Sequence, residues 1–177
     1  DNRPGASGVI GVDAVAKAPP DGYTILFAAN GHVATPAALH ANLPYDALKD
    51  ITPVTLIASA RLALFVHPSL PVHTVGELVT YAKARPDRIP YSSFGIGTTN
   101  HLILEAFAFD TGIKLVHVPY KGSAPAAAAL LSGEVMASFD LLQSTMPHVK
   151  ANRLRALAVA ASRRITVAPN IPTFAEA

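Results

Sequence analysis

Tyr91-Ser-Ser-Phe-Gly-Ile-Gly-Thr-Thr-Asn-His-Leu102 decides how the rest of the chain is read. Its first residues predict a short strand, two glycines turn the chain, and a helix follows from about Thr99 to Asp110. Glycines at such a turn allow backbone shapes and close approaches that a Cβ forbids. Thr98, Thr99 and Asn100 then stand where the helix starts. Free N–H groups, hydroxyls and the positive end of the helix dipole converge there, an arrangement suited to a carboxylate or phosphate. The plainer alternative is that Thr98 or Thr99 caps the helix.

Working outward, the same alternation recurs. A helix is predicted over Val9–Ala18 and stopped by Pro19-Pro20-Asp21-Gly22. Tyr23–Ala29 is an apolar run of strand length, followed by Asn30-Gly31-His32 and a short helix from about Pro36 to Leu39. Ile51–Ser59 and Leu62–Pro68 read as strands. Thr74, with Glu77 three residues on, announces a capped helix over Val75–Ala84. Strands are expected at Leu115–Pro119, Val135–Asp140 and Leu154–Ala160. Helices are expected at Ala124–Leu131, capped by Ser123, and at Gln143–Ala151. This order predicts an α/β fold with mainly parallel sheets. Ligands of such folds settle at the carboxyl ends of strands. Three polar turns occupy that position: Asn30–His32, Ser92–His101 and Asp140–Ser144.

Composition narrows the function classes. The 177 residues are 50% hydrophobic and only 15% charged, against roughly 25% in ordinary soluble domains. With a mean hydropathy of +0.33 the chain can bury a sizeable core. Its net charge of +2 is dispersed, so a nucleic-acid footprint is unsupported. No apolar run reaches the roughly 18 residues of a membrane span. The absence of cysteine excludes disulfides and thiolate zinc sites. Seven histidines are present without a His-x-x-x-His pair or a carboxylate cluster, so no metal or other cofactor is expected. No Gly-x-Ser-x-Gly elbow occurs. Ser92 or Ser93 with His101 and Asp140 would be the residues of a hydrolase triad, but no spacing selects them. Asp140 ends an apolar strand and needs partners if sheltered. It would either receive a ligand ammonium or hydroxyl, or cap the helix near Gln143.

Several motifs together resemble one family. They are Asp1-Asn-Arg-Pro-Gly-Ala-Ser-Gly8, Pro20-Asp-Gly-Tyr-Thr24, Asn42-Leu-Pro-Tyr-Asp46, Gly95-Ile-Gly-Thr98 with His101, and His117-Val-Pro-Tyr-Lys-Gly-Ser123. Phe139-Asp140, Pro147-His148 and Leu154-Arg-Ala-Leu-Ala158 follow in order. The chain resembles the Bug proteins, the TctC-type extracytoplasmic solute receptors of tripartite tricarboxylate transporters. The resemblance implies a two-lobed, type II periplasmic binding protein fold that closes on a small carboxylate, with membrane transporter subunits as partners and a periplasmic location. Family members are longer, so the N- and C-terminal portions are expected to be missing. Residues 1–65 would be part of the first lobe, 66–155 the second, and 156–177 a return toward the first. By resemblance, Ser93, Gly97, Thr98 and His101 match the second lobe's carboxylate turn. Ala28, Asn30 and Gly31 match a cleft-lining turn of the first lobe. Asp140 matches a position that meets an amino group when the ligand is an amino acid. Phe94-Gly-Ile-Gly97 departs from the commoner Ala-Gly-x-Gly and adds bulk. An effector-sensing domain of a transcription regulator and an α/β hydrolase-like enzyme are the alternatives. Apolar surface exposed by truncation would favour self-association.

Overall fold

The computed structural model describes residues 1–3, 5–39 and 42–177, with the side chain of Asn30 outside that description. Pro4, within the first family motif, also lies outside the described residues. Five strands form one sheet in the order β3-β2-β4-β1-β5. These are β1 (Leu62–Val66), β2 (Pro90–Ser93), β3 (Val116–Pro119), β4 (Ala137–Leu141) and β5 (Arg155–Val159). Six helices accompany them: α1 (Val9–Ala16), α2 (Asn30–Leu39), α3 (Val75–Lys83), α4 (Thr99–Thr111), α5 (Ser123–Ser132) and α6 (Leu142–Lys150).

β1 explains the architecture. Ala63, Leu64, Phe65 and Val66 are all fully buried, because both faces of the sheet are covered. Their side chains alternate across it, as a strand's pleat requires. Leu64 and Val66 join the core packed under α3 and α4, which includes Leu78, Leu104 and Phe139. Ala63 and Phe65 join the opposite core, with Leu130, Leu142 and Ile171. A strand buried on both faces reads as a continuous apolar run rather than an alternating one.

The expected parallel pairing holds for β3-β2-β4, whereas β1 runs antiparallel to both β4 and β5. The reason is where the chain enters: Leu62 pairs with Leu141, so β1 begins at the edge where β4 ends. Beyond β5 the chain folds back over the sheet, and Thr173 bridges to Val159.

Local signals account for most helix ends. The Thr74 hydroxyl accepts the Glu77 N–H at 3.1 Å, while the Glu77 carboxylate reaches back to the His73 N–H at 2.6 Å. Gly112 and Gly133 close α4 and α5 in the left-handed conformation, which glycine adopts without a Cβ penalty. Ser123 departs from expectation. It is the first residue of α5, Gly122 holds the cap position, and no side chain caps the helix.

Two predicted strands are absent. Tyr23–Ala29 and Ile51–Ser59 pair with nothing among the described residues. Tyr23, Ile25 and Phe27 are 77–93% exposed, and Val54, Leu56 and Ile57 are also exposed. An apolar run becomes a strand only where a neighbour takes its backbone hydrogen bonds. The helix expected from Pro36 begins six residues earlier, at Asn30, with Pro36 inside it.

Candidate functional site

The carboxyl ends of β2 and β4 and the N-termini of two helices meet at the Gly95–Asn100 turn. Gly95 and Gly97 have φ of 138° and 78°, which a larger residue would hold only under strain. Thr98 precedes α4 but does not cap it. Its hydroxyl donates inward instead, its single proton shared between Gly95 O (2.6 Å) and Asn100 Oδ1 (2.8 Å). The first backbone bond of α4 runs from the Leu102 N–H to Thr98 O. The N–H groups of Thr99, Asn100 and His101 therefore have no protein partner among the described residues. Such orphan donors carry the positive end of the helix dipole.

A second helix start faces the first. A Cβ placed on Gly31, in the first turn of α2, would lie 2.3 Å from Thr99 Oγ1 and 3.3 Å from the Thr99 N. The backbone at Gly31 thus touches the beginning of α4. Nearby, Ser7 sits in a run of positive φ from Gly5 to Gly8, itself at φ 52°. Its hydroxyl donates to Ile96 O at 2.7 Å, and Leu39 packs over Gly97. The N-terminal segments therefore clasp the turn from one side.

Behind the turn lies a stacked column of rings. The Gly97 N–H donates to His101 Nδ1 at 3.2 Å, which places the ring proton on Nε2. His101 packs on His117 with centroids 4.1 Å apart, and His117 stacks on Tyr91 at 4.9 Å. Tyr91 donates its hydroxyl proton to Glu105. His117 Nε2 lies 2.6 Å from Ser93 Oγ. Burial, reinforced by His101, holds the His117 pKa below the usual histidine value. Ser93 is fully buried and also bonds to Gly95 at 3.2 Å.

Asp140 is the penultimate residue of β4, beside this turn, and is only 3% exposed. Its Oδ1 accepts the Leu141 N–H at 2.6 Å. It does not cap α6, whose cap position is Leu141 with no side-chain bond. Burial raises its pKa to about 6, against weaker lowering by the Leu141 N–H and His148.

Of the residues singled out in the sequence, Gly31, Ser93, Gly97, Thr98 and His101 converge, and Asp140 stands on the neighbouring strand end. Ala28 is exposed in the unpaired segment, and the Asn30 side chain lies outside the described residues. The triad is not assembled: Ser93 meets His117 rather than His101, and the buried Ser92 hydroxyl has no partner. Sequence reasoning placed Asn100 at the helix start but did not select Ser7 or His117 for the site. The β2–β3 register, which sets Tyr91 against His117, is what brings that histidine in. No three metal-ligating side chains come together among the described residues.

The mixed sheet with helices on both faces is part of a periplasmic binding protein fold: the solved periplasmic binding protein BugD is 32% identical, with a TM-score of 0.92 over 99% of this chain and 58% of its own. The chain belongs to the tripartite tricarboxylate transporter receptor family, whose model matches residues 1–177. It is 38% identical over 176 residues to Protein BugT of Bordetella pertussis, covering 99% of this chain and 54% of that one. The chain thus spans about half the length of the curated relatives it matches. A solved R. palustris protein with adipate is 41% identical, with a TM-score of 0.95 over 100% of this chain and 59% of its own. MatC from Rhodopseudomonas palustris with bound malate is 29% identical, with a TM-score of 0.90 over 98% of this chain and 59% of its own.

Proposed function

We propose that the chain is the ligand-receiving portion of a periplasmic receptor that captures a small carboxylate between two lobes for a tripartite transporter. The observation that carries this is the meeting of two helix N-termini at Gly31 and Thr99. Two positive dipole ends meet there, beside three N–H groups without a protein partner among the described residues, and an anion bound at those N–H groups offsets the repulsion. Gly97 and Thr98 shape the turn, Ser93 and His101 brace it from behind, and Asn30 and Gly31 close it from the first lobe, with Ala28 on the approach. Asp140 receives a donor at the far end of the ligand, an amino or hydroxyl group.

In this reading the 65/66 and 155/156 boundaries fall inside β1 and β5 of one sheet, so the second lobe is better taken to begin at Leu62. The relatives solved with adipate and malate support the carboxylate class. The test is titration calorimetry of the full-length protein with adipate and malate. Thr98→Val, which loses the hydroxyl tying the turn together, should weaken binding about tenfold, or about 1.4 kcal/mol. Unchanged affinity in that variant would remove Thr98 from the site. No heat with any carboxylate at millimolar concentration would sink the reading.

A further inference from the structure

The β2–β4 ladder stops at Ser92↔Ser138, three residues before Gly95 of the turn and two before Asp140. Past that point the two strand ends are joined by one side chain. Asn100, on the first turn of α4, is 1% exposed. Its Oδ1 accepts the Phe94 N–H at 3.4 Å and lies 2.8 Å from the Thr98 hydroxyl that donates to it. Its Nδ2 donates to Phe139 O at 3.2 Å. Only one amide orientation satisfies an N–H on one side and a carbonyl on the other, so the oxygen is fixed toward the turn and the nitrogen toward β4. A buried amide with three partners in two strand ends and a helix cap is a spacer between them.

We infer that Asn100 is a specificity-determining positioning residue: its amide sets the distance from the carboxylate-receiving turn to Asp140, and so the length of ligand that spans both. This rests on the function proposed above. Phe139, whose carbonyl the amide holds, is the residue directly before Asp140. Thr98 and Phe94, held by the oxygen, frame the turn. A ligand with a carboxylate at one end and a hydrogen-bonding group at the other must match that separation. If the tie is cut, each end still exists but their spacing is no longer enforced.

The experiment compares straight-chain carboxylates of two to six carbons that end in a hydroxyl or amino group by calorimetry, using the full-length protein and its Asn100→Asp and Asn100→Ala variants. Asn100→Asp keeps the acceptor for Phe94 and Thr98 but turns an oxygen onto the Phe139 carbonyl. The wild type should show a length optimum. In both variants the ratio of best to worst affinity should shrink at least fivefold, a change that general loosening of the fold, acting on all lengths alike, does not produce. Folded variants that keep the wild-type ratio within twofold overturn the inference. If neither variant folds, hydrogen exchange of the Asn100 side-chain NH₂ in the wild type decides. Protection supports the tie, and exchange at the free-amide rate refutes it. A wild type that binds none of the acids refutes the function proposed above, while the side-chain exchange still decides whether the tie exists.

Discussion

Phe174 lies flat against Phe139, with ring centroids 5.5 Å apart and planes 26° from parallel. It meets Phe107 of α4 edge-on at 5.7 Å. The tail residue is thus wedged between the strand that carries Asp140 and the helix that begins at the turn. Phe174→Ala should cost about 2–3 kcal/mol, less than a fully buried phenylalanine, because the ring is half-buried. Urea unfolding gives the number, and a loss under about 0.5 kcal/mol, within the range of ordinary surface substitutions, would show that the tail is not part of the packed unit.

Glycine-to-alanine exchange in a helix ordinarily gains about 0.5–1 kcal/mol. Gly76 in α3 has its nearest neighbour to an added Cβ at 4.0 Å, so Gly76→Ala should show that gain. Gly31→Ala should have the opposite sign, losing about 1 kcal/mol or more, because its Cβ collides with the Thr99 hydroxyl. Thermal unfolding of the two variants side by side checks the contrast. Equal gains would mean that the α2 and α4 starts are not in contact.

Asp140 and His117 give the fold opposite pH dependences. The Asp140 pKa is raised to about 6 by burial, so its contribution is most favourable below the unfolded value near 4 and is lost as pH rises through about 6. Asp140→Asn should therefore be more stable than wild type at pH 8, by on the order of 2–3 kcal/mol, and the two should converge near pH 3.5. The His117 pKa is lowered, so its contribution is present above pH 6.5 and is lost as pH falls through the folded-state value. Proton NMR titration should place the His117 midpoint below 6.5, and His101→Ala should raise it. A carboxylate variant whose stability tracks wild type at every pH would contradict the burial of Asp140.

The exposed side chains of Tyr23, Ile25, Phe27, Val54, Leu56 and Ile57 form two apolar segments whose backbone pairs with no strand among the described residues. Such segments pair with any available strand. We expect the 177-residue chain to self-associate, and sedimentation velocity should show species heavier than a monomer that grow with concentration. Replacing Ile25 and Phe27 with serine should reduce them. A single monomeric boundary at all concentrations would refute the expectation.

Much of the fold is legible from neighbours in sequence. Thr74 with Glu77 acts within a turn of its own position, so local chemistry reveals it. Leu62–Val66 is recognisable because burial on both faces leaves an unbroken apolar run. Tyr23–Ala29 has the same signature without being a strand, since pairing depends on a partner that composition does not name. The site divides in the same way. The Gly95–His101 turn is local and was legible. Ser93 meets His117 across 24 residues and Ser7 meets Ile96 across 89, distances that only the sheet register and the chain's return can close.

The meeting of the α2 and α4 starts has a mechanical consequence. Each helix presents roughly half a positive charge. At ~5 Å and an effective dielectric near 20, two such ends repel by about 1 kcal/mol. That is about fivefold in an equilibrium constant, a small but constant outward push on the two helix starts. Under the proposed function, an anion held at these two helix starts reverses the sign of that force.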